Sequence, residues 1–148
     1  MNVAVVMGGY SDESVISLRS GQLILNHLDK SKYKPFEVHI LLNEWYCLID
    51  QIKYPINKAD FSFTKDNEVV KFDVISNTIH GTPGEDGHLQ AYWELLEIPY
   101  TGCGFYQSSL TLTSEIRFLF YQNLIFQKHN PFIYQKAMLL MEHKLQNN

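Results

Sequence analysis

The sequence contains no block of basic residues, no apolar run long enough to span a membrane, and only two cysteines. With a net charge of −4, neither a nucleic acid nor an anionic membrane surface is expected as the main partner. The opening segment "MNVAVVMGG" lacks the basic start and cleavage site of a signal peptide, so we expect a cytoplasmic protein. Cys47 and Cys103 lack the close spacing of metal ligands and are expected to be buried thiols.

The length of 148 residues is enough for one domain with its own core and too short for two sizeable domains. Apolar residues make up 45% of the chain and charged residues 19%, which is typical of a soluble globular protein. We therefore expect a single principal domain.

Strand-like and helix-like segments alternate as far as residue 102. The apolar run at residues 2–7 predicts a buried parallel strand, and residues 11–30 carry apolar side chains at helical spacing, with Ser11 as the expected N-cap. A second helix is predicted over residues 88–98, and a hairpin over residues 60–73. Further strands are predicted at residues 35–43, 45–50, 73–79 and 99–102. This alternation predicts an α/β domain with a mostly parallel sheet.

The first glycine-containing loop, GGYSDES, follows the first predicted strand. Gly8 and Gly9 lack the third glycine of the dinucleotide-binding pattern G-x-G-x-x-G, so they do not predict an NAD site. Glu13 has two interpretations. It could be a first-turn acid that favours the positive end of a helix, or it could accept an ammonium group at the carboxyl edge of the sheet.

The second loop lies in residues 79–92, IHGTPGEDGHLQAY, directly after a predicted buried strand. His80 should therefore lie at the same carboxyl edge, either as a hydrogen-bonded part of the scaffold or as a ligand contact. Gly81, Gly84 and Gly87 are expected to supply positive φ angles or close backbone approaches.

Two consecutive acids, Glu85 and Asp86, precede the second predicted helix. Capping and pairing with the helix dipole are the roles that their position predicts. Consecutive side chains point apart, so we predict no metal site from this pair.

Two stretches together, "MGGYSDESVISLRSG" and "HGTPGEDGHLQAYWELLEIPYTG", closely resemble the N-terminal domain of D-alanine–D-alanine ligases, which are ATP-grasp enzymes. The family pattern His-Gly-x-x-Gly-Glu-Asp-Gly-x-aliphatic-Gln-small is satisfied at every position by residues 80–91. The resemblance covers about residues 2–111. It implies a Rossmann-like parallel sheet flanked by helices, with a small hairpin excursion.

The resemblance also implies an activity. The family uses ATP and magnesium to phosphorylate the carboxylate of one D-alanine, and the amine of a second D-alanine then displaces phosphate to give a peptidoglycan dipeptide. Glu13 matches the family glutamate that helps to hold the first D-alanine and is our candidate catalytic residue. His80 matches the histidine beside that substrate's carboxylate, with Gly81 next to it. Gly8, Gly9, Ser11, Gly84, Glu85, Asp86 and Gly87 match the loops that shape the pocket.

In the family, the groups that bind ATP and Mg²⁺ belong to the central and C-terminal domains. We therefore expect this chain alone to bind neither ATP nor a metal ion, and to bind D-alanine weakly if at all. The resemblance suggests a homodimer as the form of association.

The resemblance stops near Leu112. The family continues with "LTFNKRD", whereas this chain has "LTLTSEIRFLF" from Leu110, with Ser114 where the lysine is expected. If Thr111 to Arg117 are written ACT TTA ACA AGC GAG ATT CGT, one T inserted after ACT restores the frame TTT AAC AAG CGA GAT, which encodes FNKRD. Our hypothesis is a single-base deletion. Residues 1–111 would then be the ligase N-terminal domain and residues 112–148 an aberrant helical or disordered tail.

Two other functions stay open. The chain could be a stand-alone α/β binding or regulatory module whose tail is a true partner surface, which a tightly packed tail would favour. A Rossmann-type dehydrogenase or reductase is disfavoured because its glycine pattern is missing.

Overall fold

The computed structural model describes residues 1–112, which lie within one compact unit, Met1–Leu112. The tail predicted from residue 112 onwards lies outside the described residues, apart from Leu112 itself. The described part contains seven strands and three helices. They are β1 Asn2–Gly8, α1 Ser14–His27, β2 Lys34–Ile40, β3 Trp45–Ile49, β4 Ile52–Asn57, β5 Ser62–Lys65, β6 Glu68–Val70, β7 Val74–Asn77, α2 His88–Leu95 and α3 Phe105–Leu112.

The strands form one mixed sheet in the order β6-β5-β4-β3-β2-β1-β7. Strand β1 pairs in parallel with β2 and β7, whereas every pairing from β2 to β6 is antiparallel. The predicted α/β class is confirmed, but the prediction of a mostly parallel, Rossmann-like sheet is wrong. A parallel pair needs a crossover of about a dozen or more residues, and the short connections after β2, β3 and β5 permit only antiparallel neighbours.

Tight turns make the antiparallel half of the sheet. Asp66 and Asn67, with φ angles of 51° and 63°, join β5 to β6 in the predicted hairpin. Two consecutive left-handed residues are the mark of a type I′ turn, which matches the twist of the strands that it joins. Strand β4 was not predicted, and it contains Pro55, a residue that is rare inside strands. Pro55 has no backbone N–H, which is tolerated because β5 pairs with β4 only at Ile56 and Asn57.

Helix α1 covers β1 at very short range. Gly21 faces Met7, and a Cβ atom on Gly21 would lie 2.5 Å from the Met7 Cε atom. Four residues earlier, the buried Ser17 hydroxyl accepts a hydrogen bond of 2.9 Å from the Gly8 amide. These contacts fix the end of β1, and with it the start of the first loop. The helix begins at Ser14 with Glu13 as its N-cap residue, so the prediction that Ser11 caps it is wrong.

The opposite face of the sheet carries an aromatic core beneath α2. Trp93 and Phe63 are fully buried there, together with Phe36, Phe61 and Phe72. The Phe63 ring centroid lies 5.5 Å from that of Phe36 and 5.8 Å from that of Phe72. Ring pairs at these separations add a specific geometry to the hydrophobic effect of burial.

The two cysteines differ in environment. Cys47 is buried as expected, and burial, reinforced by nearby Glu37, raises the pKa of its thiol to about 12. Cys103 is exposed, so the expectation of a buried thiol there is wrong, because it lies in the loop between α2 and α3 outside both cores. Over residues 1–112, no helix combines the length and apolarity that crossing a membrane requires.

Truncation of Phe63 should test the aromatic core. We expect Phe63→Ala to lower the free energy of unfolding by about 3–5 kcal/mol, because it removes a ring from a site that cannot fully collapse. Val69→Ala is the control, since Val69 is 61% exposed on β6 and its truncation should cost less than about 0.5 kcal/mol. Urea denaturation followed by circular dichroism measures both. Equal losses would show that the core does not depend on this cluster.

Candidate functional site

The two glycine-containing loops meet at the carboxyl ends of β1 and β7. The Tyr10 amide donates a hydrogen bond of 2.9 Å to the Thr82 carbonyl, and the Ser11 hydroxyl donates one of 3.2 Å to the His80 carbonyl. Gly9 has a φ angle of +101°, and a Cβ atom there would lie 2.8 Å from Ile79 Cγ2. The two loops are therefore held in direct contact, as expected for loops that follow adjacent parallel strands.

Glu13 reaches the second loop at Gly81. Gly81 has a φ angle of +67°, and a Cβ atom on it would lie 3.0 Å from Ser11 Oγ and 3.4 Å from Glu13 Oε2. The Glu13 carboxylate makes no capping hydrogen bond to α1, although Glu13 is the N-cap residue. Its exposed carboxylate lies close to the neighbouring loop, and Glu13 also stands at the N-terminal end of α1, so both interpretations of this acid stay open.

His80 is partly exposed and has an acidic neighbour. Its Nδ1 atom lies 3.3 Å from Glu85 Oε1, while Glu85 Oε2 accepts a hydrogen bond of 2.9 Å from the Gly81 amide. Glu85 thus folds back onto its own loop and does not cap α2, which corrects the predicted role. With Nδ1 beside Glu85, Nε2 is the ring atom left to contact a ligand, and it donates a hydrogen bond whenever it carries a proton.

Asp86 connects the loop to α2, as its position predicted. Its carboxylate accepts hydrogen bonds from the Thr82 hydroxyl and from the His88 amide, the latter of 3.1 Å. Burial alone would raise the pKa of Asp86, but these hydrogen bonds outweigh burial and hold the pKa below its usual value. The ionised carboxylate therefore ties the loop to the helix at neutral pH. Gly87, with a φ angle of +93°, is the N-cap residue of α2.

Two amide side chains that were not predicted hold the middle of the loop. Asn77 Nδ2 and Gln90 Nε2 both donate to the Gly84 carbonyl, at 2.9 and 2.5 Å. Gly84 also packs so closely on Ile79 that a Cβ atom would lie 2.4 Å from the Ile79 Cβ. A polar residue between Leu89 and Trp93 on the buried side of a helix is the signal that could have identified Gln90.

A cleft of about 430 Å³ opens beside His80. Glu85, Gln90 and Thr101 also line it, whereas Glu13 does not. Gln90 is buried, and its Oε1 atom has no hydrogen-bond partner among residues 1–112. Within residues 1–112, no group of three or more His, Cys, Asp or Glu side chains is placed to hold a metal ion. An anion at Glu13 and a nitrogen donor at His80 suit the two ends of an amino acid.

Comparison with known proteins gives the same family for both loops. Residues 2–103 match the family described as D-ala D-ala ligase N-terminus. A D-alanine–D-alanine ligase from Flavobacterium psychrophilum is 78% identical over 111 residues, which cover 75% of this chain and 34% of that protein.

Solved structures agree. The D-alanyl-alanine synthetase A of Vibrio cholerae superposes with a TM-score of 0.74 and 28% identity over 84% of this chain and 37% of that chain. A D-alanine–D-alanine ligase from Bacillus anthracis, solved as a complex with ATP, has a TM-score of 0.56 and 29% identity, covering 83% of this chain and 36% of that chain.

The chain spans about a third of the length of the curated relatives that it matches. The range matched to the family contains β1, both loops and α2, and therefore every residue of the candidate site from Gly8 to Gln90. The chain belongs to the D-ala D-ala ligase N-terminus family.

Proposed function

We propose that residues 1–111 are the substrate-binding N-terminal part of a D-alanine–D-alanine ligase, an enzyme that joins two D-alanines for peptidoglycan synthesis. The observation that carries the proposal is the contact between the two loops. Ser11 bonds to the His80 carbonyl, and the Glu13 carboxylate lies against Gly81. Family membership supports D-alanine as the amino acid.

Glu13 and His80 would divide the recognition of one substrate molecule. In this proposal Glu13 receives the ammonium group of the first D-alanine, and His80 donates from Nε2 to its carboxylate. Charge-assisted hydrogen bonds of this kind are about twice as strong as neutral ones. Glu85 acts as a positioning residue, because it holds both His80 Nδ1 and the Gly81 amide.

The reaction needs more than this site. The γ-phosphoryl group of ATP passes to a carboxylate oxygen of the first D-alanine and ADP leaves. The amine of the second D-alanine then attacks the carbonyl carbon and phosphate leaves. Cationic groups and a metal ion stabilise such transferring phosphoryl groups. We propose that ATP and Mg²⁺ bind to the part of the ligase that lies beyond the matched third of the relatives, and that this chain alone forms no dipeptide.

We further propose that residues after Thr111 are translated from a shifted frame. Two observations support this position for the change. The Flavobacterium relative matches over 111 residues, and the compact unit of the structure ends at Leu112. With the codons written above for Thr111 to Arg117, one inserted base at this point restores the family segment FNKRD.

A hybrid enzyme tests the proposed function. Residues 1–111 joined to the remainder of the Flavobacterium psychrophilum ligase should release phosphate from ATP only when D-alanine is present. The 148-residue chain should give the rate of the buffer control, because it would lack the groups for phosphoryl transfer. A folded hybrid that releases no phosphate with D-alanine would contradict the proposal, and so would a 148-residue chain that releases phosphate.

Substitution of the two site residues in the hybrid tests their roles. We expect Glu13→Gln and His80→Ala each to cost roughly 2 kcal/mol of D-alanine binding, which is about a thirty-fold rise in the KM of the first D-alanine. Glu68→Gln is the matched control, because Glu68 is exposed on β6 and lies in another part of the sheet. Steady-state phosphate release over a D-alanine titration gives these values. If the site variants behave like Glu68→Gln, our assignment of the side chains is wrong.

The DNA sequence of the gene tests the proposed shift of the reading frame. We expect one missing base near the codon of Leu112, followed in the alternate frame by codons for FNKRD and the rest of a ligase. Sequencing of genomic DNA decides this directly. An alternate frame that encodes no ligase sequence would rule out the deletion.

A further inference from the structure

A second cavity, of about 460 Å³, lies next to the first loop but is lined by neither Glu13 nor His80. We call it the Trp45 cavity. The rings of Tyr10, Trp45 and Tyr92 form its walls together with Pro83 and Leu89. A concave site of this volume with mainly apolar and aromatic walls is the usual form of a small-molecule site.

The aromatic walls are held in place by hydrogen bonds. Trp45 Nε1 donates to the Tyr10 hydroxyl at 3.1 Å, and the Tyr92 hydroxyl donates to the Lys58 carbonyl at 2.7 Å. The Trp45 and Tyr92 rings meet edge to face, with centroids 5.8 Å apart. Burial, with a smaller effect from Asp60, raises the pKa of Tyr92 to about 12, so its phenol stays neutral. The walls are therefore preformed and uncharged.

One positive charge lies at this cavity without a balancing carboxylate. The Lys58 Nζ atom lies 4.5 Å from the centroid of the Trp45 ring. In the part of the chain that the structure describes, no carboxylate lies within ion-pair distance of this ammonium, whereas Lys53 and Lys71 are each paired with an acid. His88, which also lines the cavity, is paired with Asp86 at 2.9 Å.

We propose that the Trp45 cavity binds a small aromatic carboxylate, with its ring packed against Trp45 and Tyr92 and its carboxylate on Lys58. The aromatic walls select a planar apolar ring, because stacked and edge-to-face ring pairs are favourable beyond their buried area. The Lys58 ammonium favours an anion and opposes a cation such as a protonated arylalkylamine. This site does not depend on the proposed ligase function, since it shares neither Glu13 nor His80 with it.

Phenylacetate is the probe, and the indole N–H resonances of the 148-residue chain are the readout. The chain has two tryptophans, and Trp45→Phe identifies the resonance of Trp45. We expect a saturable shift of the Trp45 resonance with phenylacetate, and a larger dissociation constant for phenylacetamide, which has the same ring without the charge. Cyclohexylacetate, which has the charge without the aromatic ring, should also bind more weakly.

Substitution of Lys58 distinguishes specific binding of the carboxylate from non-specific apolar adsorption of the ring. We expect Lys58→Gln to weaken phenylacetate binding roughly ten-fold and to leave phenylacetamide binding unchanged. Lys58 is exposed, so this change should not unfold the protein. The control is Lys32→Gln, because Lys32 is an exposed lysine outside the cavity. Absence of a saturable shift, or equal phenylacetate affinity in Lys58→Gln and the parent, would overturn the proposal.

Discussion

The hydrogen bond from the Ser11 hydroxyl to the His80 carbonyl, together with that from the Tyr10 amide to the Thr82 carbonyl, is the contact on which the candidate site depends. These bonds join two loops that are far apart in sequence. With them, an acid and an imidazole share one edge of the sheet, which is the minimum needed to recognise both ends of an amino acid.

The fold explains why this contact can form. Strands β1 and β7 are parallel neighbours, so both loops leave the sheet at the same edge. The close approach of α1 through Gly21 and Ser17 fixes the end of β1. On the other side, Asp86 and Gln90 attach the second loop to α2. Each loop is thus anchored by a helix on the one side and by its neighbour on the other.

The sequence predicts the local elements better than their assembly. The alternation of apolar runs and the turn at Asp66 and Asn67 predicted β1, α1, the β5–β6 hairpin and α2, because these patterns are set within a few residues. Strand β4 and the antiparallel pairings of β2 with β3 and of β3 with β4 were missed, since strand direction depends on connection length. The pattern of apolar runs alone could not distinguish parallel from antiparallel neighbouring strands.

For the site, sequence position predicted where residues lie but not which atoms they bind. Ser11 stands where helix caps are common, yet its hydroxyl bonds to the second loop, because the β1–β7 pairing brings that backbone within reach. Such competition between local and long-range partners is visible only in three dimensions. Glu85 and Gln90 bond to Gly81 and Gly84, which are close in sequence, and these contacts depend on how the second loop turns back on itself.

The central claim is that Glu13 and His80 hold one D-alanine between them. A crystal structure of the hybrid ligase with D-alanine tests it most directly. We predict a single D-alanine whose ammonium group lies roughly 3 Å from a Glu13 oxygen and whose carboxylate lies roughly 3 Å from His80 Nε2. A D-alanine that touches neither side chain, or two molecules that each touch one of them, would contradict the account.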